Sequence, residues 1–182
     1  MKVFSMKRRP MTGLLCICML TACGVDSAEP VNNEAARTPA QKIAKMQDSG
    51  GLPELERTDT VKGIDADKNG IRDDIDAYIQ KTYPSEEQQK AVSQYARSLQ
   101  ASLSVDKADK IAVKAITNEK ARAISCIFEK IPNGKSPNGD RVVKEILSMT
   151  TNTRQRLFEY IALDKALDGA VISLPSGHVC DE

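Results

Sequence analysis

The stretch that decides the fold class is SEEQQKAVSQYARSLQASLS, residues 85–104. Its apolar residues recur every three or four positions, a spacing that places them on one face of an α-helix. These residues are Val92, Tyr95, Ala96, Leu99 and Leu103. Ser85 followed by Gln88 forms a capping box after Pro84, so the helix is predicted to begin there. An amphipathic helix of this length predicts neighbouring helices that cover its apolar face.

The segments on both sides also have helical spacing and no alternating strand pattern. They predict an all-α fold, a small helical bundle. Before the central helix, residues 41–47 are predicted to form a short helix, residues 52–62 to be extended or irregular, and a further helix to carry Ile75 and Ile79. After it, a long helical segment is predicted to start near Val105, and Thr117-Asn118 could divide this segment into two helices.

Two more helices are predicted beyond a loop marked by Gly134, Pro137 and Gly139. The first has Val142 and Ile146 on one face. The second is capped by Thr151 or Asn152 and stops at Gly169. Its apolar residues are Leu157, Phe158, Ile161 and Ala162.

Residues 65–76, DADKNGIRDDID, carry the one cluster of side chains with a recognisable binding chemistry. Asp65, Asp67 and Asn69 alternate, so their oxygens point inward from one side of a tight turn, and Gly70 permits the sharp bend. Oxygen ligands at this spacing suit Ca²⁺ better than zinc or copper. Without a cation, the clustered carboxylates would repel one another.

This pattern resembles the EF-hand-like loops of thrombospondin type 3 repeats and dockerins. The resemblance implies one Ca²⁺ ion held by Asp65, Asp67, Asn69, the main-chain carbonyl of Ile71, Asp73 and Asp76. The chain departs from a full EF-hand at Arg72, where paired loops place an apolar residue, and at Asp76, which replaces a glutamate. With no second loop to pair with, a structural ion is favoured over a calcium sensor. The alternative is a solvated acidic turn that binds no metal.

Residues 1–22 have the pattern of a cleaved secretion signal, with a basic start, a short apolar stretch and small residues at the end. Leu20-Thr21-Ala22-Cys23 resembles the lipobox of bacterial lipoproteins. The resemblance implies cleavage before Cys23 and a lipid on its thiol that anchors the chain to a membrane. Because Gly24 is not aspartate, it also implies sorting to the periplasmic face of the outer membrane. The alternative is an ordinary secretion signal that contains a cysteine.

Cleavage at this point would leave 160 of the 182 residues, a polar tether at 23–40 and one helical domain at 41–182. Four of the 26 basic residues lie in the signal, so 22 remain against 25 acidic residues, which argues against nucleic acid as a partner. Cys126 and Cys180 remain as one pair, and an oxidising compartment predicts a disulfide between them. A redox pair is the alternative, although the chain has no C-x-x-C motif.

No serine has the sequence context of a hydrolase nucleophile, and His178 is the only histidine. We therefore expect a protein that is not an enzyme, a calcium-stabilised lipoprotein of the cell envelope that binds another envelope protein or peptidoglycan. One alternative is an envelope hydrolase with an unrecognised site that uses Asp140 or Glu129. Another is an immunity or inhibitor lipoprotein.

Overall fold

The computed structural model describes residues 38–134, 137–172 and 175–181. The described residues from Ile43 onwards belong to one compact unit. The predicted signal, the lipidation site Cys23 and the predicted tether up to residue 37 lie outside the described residues. Among the helices within these ranges, none combines the length and apolar composition needed to cross a membrane.

The described residues form helices and no strand, which confirms the all-α prediction. The helices are α1 (Pro39–Asp48), α2 (Asp73–Thr82), α3 (Glu86–Ser104), α4 (Lys110–Lys130), α5 (Gly139–Thr150) and α6 (Arg154–Ala166). The short first helix thus begins two residues before the predicted Gln41. Residues 52–62 contain no helix, as predicted.

The central helix of the bundle is α3, which contacts α2, α4, α5 and α6. Its predicted apolar face is buried, and Val92, Tyr95 and Leu99 are each at most 2% exposed. The residues that pack against this face from other helices include Ile75, Ile79, Ala123, Ile127, Val142 and Ile146. Burial of this shared apolar surface is the main force that holds the helices together.

Side-chain caps explain where α3, α4, α5 and α6 begin. Asn138 caps α5, so Gly139, which was predicted to lie in the preceding loop, is the first residue of this helix.

Ser85 Oγ accepts a hydrogen bond from the Gln88 amide at 3.3 Å and caps α3 as predicted. The reciprocal half of the predicted capping box is not formed, because the Gln88 side-chain oxygen is buried without a hydrogen-bond partner. Thr153 caps α6, so the prediction of Thr151 or Asn152 as the cap was wrong.

The long helix α4 begins later than predicted and is continuous. Asp109 Oδ1 accepts hydrogen bonds from two main-chain amides at 2.9 and 3.0 Å, so the helix starts at Lys110 and not near Val105. Thr117 does not divide it, because its hydroxyl donates to the Val113 carbonyl at 2.7 Å inside the helix.

The outer surface of α6 includes three large apolar side chains, contrary to the pattern expected for a surface helix. Leu157, Phe158 and Ile161 are 44%, 53% and 51% exposed, so the apolar residues predicted for this helix do not form its packed face. The buried residues of α6 are Arg156 and Leu163. A charged residue therefore takes a place in the interior that the sequence pattern assigns to apolar ones.

A disulfide joins Cys126 of α4 to Cys180 of the C-terminal tail, with the two Cα atoms 4.9 Å apart, as predicted. Val179 is buried beside it, whereas Val171 and Ile172, earlier in the tail, are 89% and 50% exposed. Among the described residues of the tail after Gly169, Val179 is the one that is buried.

Candidate metal centre

The loop at residues 65–76 brings three carboxylates together next to the start of α2. One oxygen atom from each of Asp65, Asp67 and Asp73 lies within 4.8 Å of the others. Asp76, in the first turn of α2, is not part of this group and lines, with Asn69, a cleft of about 400 Å³ bounded by the loop, α2 and α3. The contributions of Asp76, Asn69 and the Ile71 carbonyl to a metal site therefore stay predictions.

Main-chain amides of the loop hold all three of these carboxylates in place, and Asp67 Oδ1 accepts from the Asn69 amide at 3.1 Å. The Asp65 side chain accepts hydrogen bonds from the amides of Asn69 and Gly70, each at 3.1 Å. Asp73 Oδ1 accepts one from the Ala66 amide at 2.9 Å. Gly70 has a φ of 85°, a left-handed conformation that glycine adopts without steric cost. These amides stabilise the negative charges and offset part of their mutual repulsion.

A main-chain hydrogen bond joins the two ends of the loop where α2 begins. The Asp73 amide donates to the Ile64 carbonyl at 2.9 Å, and the Ile71 side chain is only 1% exposed. The first turn of α2 contains Asp73, Asp74 and Asp76, at the end of the helix where its dipole favours negative charge. The side-chain atoms available here as metal ligands are oxygens, and oxygen ligands fit a hard cation such as Ca²⁺.

Arg72 connects this loop to the interior of the bundle and is fully buried. Its Nε and Nη2 donate to the two oxygens of Asp74 at 2.9 and 2.6 Å. Its Nη1 donates to Asn152 Oδ1 at 3.1 Å, and its Nη2 also donates to the Met149 carbonyl at 3.3 Å. The residue at which the loop departs from paired EF-hands therefore ties the loop to the end of α5.

A second fully buried arginine, Arg156 of α6, shares a partner with the first. Its Nη2 lies 2.5 Å from Glu56 Oε2, and its Nη1 donates at 2.8 Å to the same Asn152 oxygen. Its Nε donates to the Thr60 carbonyl at 3.1 Å. We call these residues the arginine cluster, which comprises Arg72, Arg156, Glu56, Asp74 and Asn152.

The two carboxylates of the arginine cluster are held in their ionised form. Burial by itself raises the pKa of each group, because it removes water from the charge. For Glu56, hydrogen bonds from Thr58 and Arg156, with the charge of Arg156, outweigh burial and lower the pKa. For Asp74, hydrogen bonds from Arg72 and the Glu56 amide, with the charge of Arg72, also lower the pKa. Each buried guanidinium is thus paired with a carboxylate, as burial of a charge requires.

The arginine cluster also fixes the irregular segment before the loop, and the sequence did not predict it. Asn152 Nδ2 donates to the Glu56 carbonyl at 2.8 Å across 96 positions in the chain. Helical spacing contains no information about such distant polar pairs. The one signal was Arg72 itself, a charged residue where the loop pattern calls for an apolar one.

The residues considered for catalysis lie on the exposed surface, each with a local partner. Asp140 pairs with Lys144 at 2.7 Å, and Glu129 pairs with Lys130 at 3.1 Å. His178 Nδ1 lies 2.9 Å from a main-chain carbonyl oxygen in the tail. These surroundings offer no support for a hydrolase site at Asp140 or Glu129.

No known protein family, characterised protein or solved structure matches this chain. The acidic loop, the arginine cluster and the exposed face of α6 are therefore the features from which a function can be inferred. Of these, the acidic loop has the most specific chemistry.

Proposed function

We propose that the chain is an extracytoplasmic, lipid-anchored protein that binds one Ca²⁺ ion in the loop at residues 65–76 and acts by binding another macromolecule. The observation that carries the calcium proposal is the convergence of Asp65, Asp67 and Asp73, whose ligand atoms lie within 4.8 Å of one another. Three carboxylates at this separation stabilise a divalent cation strongly and repel one another without it.

The ion has a structural role in this proposal. It neutralises the loop directly before α2, where the neighbouring side chains of Ile71 and Arg72 are buried in the interior. A cation that orders the loop therefore also stabilises the attachment of α2 to the bundle. A dissociation constant of about 10⁻⁴ to 10⁻³ M suffices, because extracellular calcium modules work in this range.

Calcium is expected to raise the melting temperature of the mature chain. With about 5 mM CaCl₂ and that affinity, binding to the folded state adds about 1 to 2 kcal/mol of stability. For a domain of this size, the added stability corresponds to a rise of about 2–9 °C. Differential scanning calorimetry in calcium and in NaCl of equal ionic strength measures the difference.

The Asp67→Asn variant should lose most of this rise, because it removes one charge from the predicted ligand set. Asp168→Asn is the matched control, since Asp168 is an exposed acid that follows α6. An equal calcium-dependent rise in the Asp67→Asn and Asp168→Asn proteins would exclude the loop as the site. No rise in the unchanged protein would exclude calcium binding at millimolar concentration.

The lipid anchor is tested in a bacterial host by metabolic labelling with a radioactive fatty acid and by cell fractionation. We expect the chain to take up label and sediment with membranes, and the Cys23→Ser variant to lose the label, because the thiol is the acceptor. Cys16→Ser is the control, since Cys16 lies within the predicted signal and should be removed with it. Full labelling of the Cys23→Ser variant would contradict the assignment of the anchor.

The apolar face of α6 supports a binding role over a catalytic one. Leu157, Phe158 and Ile161 lie close together on one side of the helix, and each is between 44% and 53% exposed. Contiguous exposed apolar side chains often mark a surface that another macromolecule covers. An immunity or inhibitor lipoprotein is one form of this binding role.

A further inference from the structure

Arg97, in the middle of α3, contacts both the acidic loop and the C-terminal tail. Its Nε donates to the Asn69 carbonyl at 3.0 Å. Its side-chain stem lies against Gly70, where an added Cβ would come within 3.1 Å of Arg97 Cγ. Its Nη1 lies 3.9 Å from Asp181 Oδ2 of the tail. Arg97 therefore contacts the turn of the loop and also forms an ion pair with the Asp181 carboxylate of the tail.

The tail is fixed in this position by the disulfide and by one buried amide side chain. Cys180 is joined to Cys126 of α4. Gln94, only 7% exposed, donates from Nε2 to the Val179 carbonyl at 3.0 Å and accepts at Oε1 from the Asp181 amide at 3.1 Å. Asp181 is thereby placed at the edge of the cleft beside the loop.

We propose that the Cys126–Cys180 disulfide raises the affinity of the acidic loop for Ca²⁺ through Arg97, which acts as a positioning residue for the loop. This coupling rests on the calcium binding proposed above and extends it to regulation by the redox state of the tail. It links the loop at residues 65–76 to the Cys126–Cys180 disulfide through side-chain contacts of Gln94 and Arg97 on α3.

Opening the disulfide weakens calcium binding because it frees the tail and removes Asp181 from Arg97. Without this carboxylate, the Arg97 side chain is held less firmly beside the loop. Its hydrogen bond to the Asn69 carbonyl and its contact with Gly70 then form for a smaller fraction of the time. The loop carboxylates are therefore less well preorganised to bind one ion, and the affinity falls.

The coupling acts in both directions. A dithiol reductant opens the bond by thiol–disulfide exchange, in which it gives two electrons and two protons to the cysteine sulfurs and itself becomes a cyclic disulfide. Because coupling between two sites is reciprocal, bound Ca²⁺ must shift this equilibrium towards the protein disulfide by the same factor.

The experiment uses the mature chain from residue 23 with Cys23→Ser, titrated with CaCl₂ by isothermal calorimetry. We expect the dissociation constant to be about 5- to 20-fold higher in the Cys126→Ser/Cys180→Ser variant than in the oxidised chain, within the range of coupled sites. Arg97→Met in the oxidised chain should weaken binding by a similar factor. Adding the two serine substitutions to Arg97→Met should weaken it no further, because the connection is already broken.

Arg122→Met is the matched control, because Arg122 Nη2 also lies 3.5 Å from Asp181 Oδ1 but extends from α4. It should change the dissociation constant less than about twofold. Arg97→Lys, which keeps the charge but not the Nε donor, should fall between Arg97→Met and the unchanged chain. If the two-serine variant does not fold, the oxidised Arg97→Met and Arg122→Met proteins decide the matter, since equal effects would overturn the proposal.

Hydrogen exchange at the Asn69 and Gly70 amides without calcium adds a measurement that does not depend on the metal. Both amides should exchange faster in the disulfide-free and Arg97→Met proteins. Calcium affinities that agree within about twofold in the oxidised and disulfide-free chains would overturn the coupling and leave the proposed function intact. Absence of binding to the oxidised chain would overturn both.

Discussion

Replacement of Arg156 by methionine is expected to lower the free energy of unfolding by about 3–5 kcal/mol, the range measured when one partner of a buried ion pair is removed. The guanidinium is fully buried, and it donates to Glu56, to Asn152 and to the main-chain carbonyls of Thr60 and Val61. Methionine fills similar space but donates no hydrogen bond. The Glu56 carboxylate and the carbonyl groups would therefore remain in the interior with fewer donors.

Urea denaturation at neutral pH, followed by circular dichroism, measures this loss as a lower midpoint at an unchanged slope. Arg154→Met is the matched control on the same helix. Arg154 is exposed and lies over the Phe158 ring at 5.1 Å, so its loss should cost no more than about 1 kcal/mol. A destabilisation of similar size in both variants would show that the arginine cluster contributes little beyond an exposed contact.

A second variant separates the charge of Arg156 from its geometry. Lysine retains the charge but cannot reach the several acceptors that the planar guanidinium joins, so Arg156→Lys should recover only part of the lost stability. Glu56→Gln combined with Arg156→Met should cost less than the sum of the single changes, because neither an unpaired guanidinium nor an unpaired carboxylate then remains.

The positions of most helices could be predicted because they depend on local patterns. Apolar spacing identified the buried face of α3, with Val92 and Leu99 almost fully buried, and Ser85 marked its first turn. The disulfide followed from counting cysteines in a chain expected to be exported. The clustering of Asp65, Asp67 and Asp73 followed from their spacing around a tight turn.

The features that were not predicted depend on contacts between distant parts of the chain. Spacing alone assigned Leu157 and Phe158 to the apolar stripe of α6, yet the helix is oriented by Arg156, whose partner Glu56 is 100 positions away. The contact of Arg97 with the loop could not be predicted either, because an exposed arginine on a helix has the same local pattern whether or not it contacts another segment. Local sequence therefore predicted the helices and the acidic loop, while tertiary packing determined how polar groups connect them.

Replacement of Gly63 by alanine is expected to destabilise the folded chain by about 2–5 kcal/mol, through a left-handed backbone and steric overlap together. Gly63 has a φ of 67°, and an added Cβ would overlap Arg72 Cδ, lie 2.6 Å from Glu56 Oε2 and lie 2.8 Å from Arg156 Nη2. The methyl group can be accommodated only if the paired charges separate. Urea denaturation measures the loss.

Gly169→Ala distinguishes the two contributions, because Gly169 has a φ of 74° but no atom within 4 Å of an added Cβ. It should therefore show the backbone cost alone, about 1 kcal/mol. The excess loss in Gly63→Ala then measures how tightly the guanidinium and carboxylate groups are packed. Equal losses of stability in Gly63→Ala and Gly169→Ala would mean that the arginine cluster can shift at little cost. The large effect expected for Arg156→Met would then come from lost hydrogen bonds and not from rigid packing of the cluster.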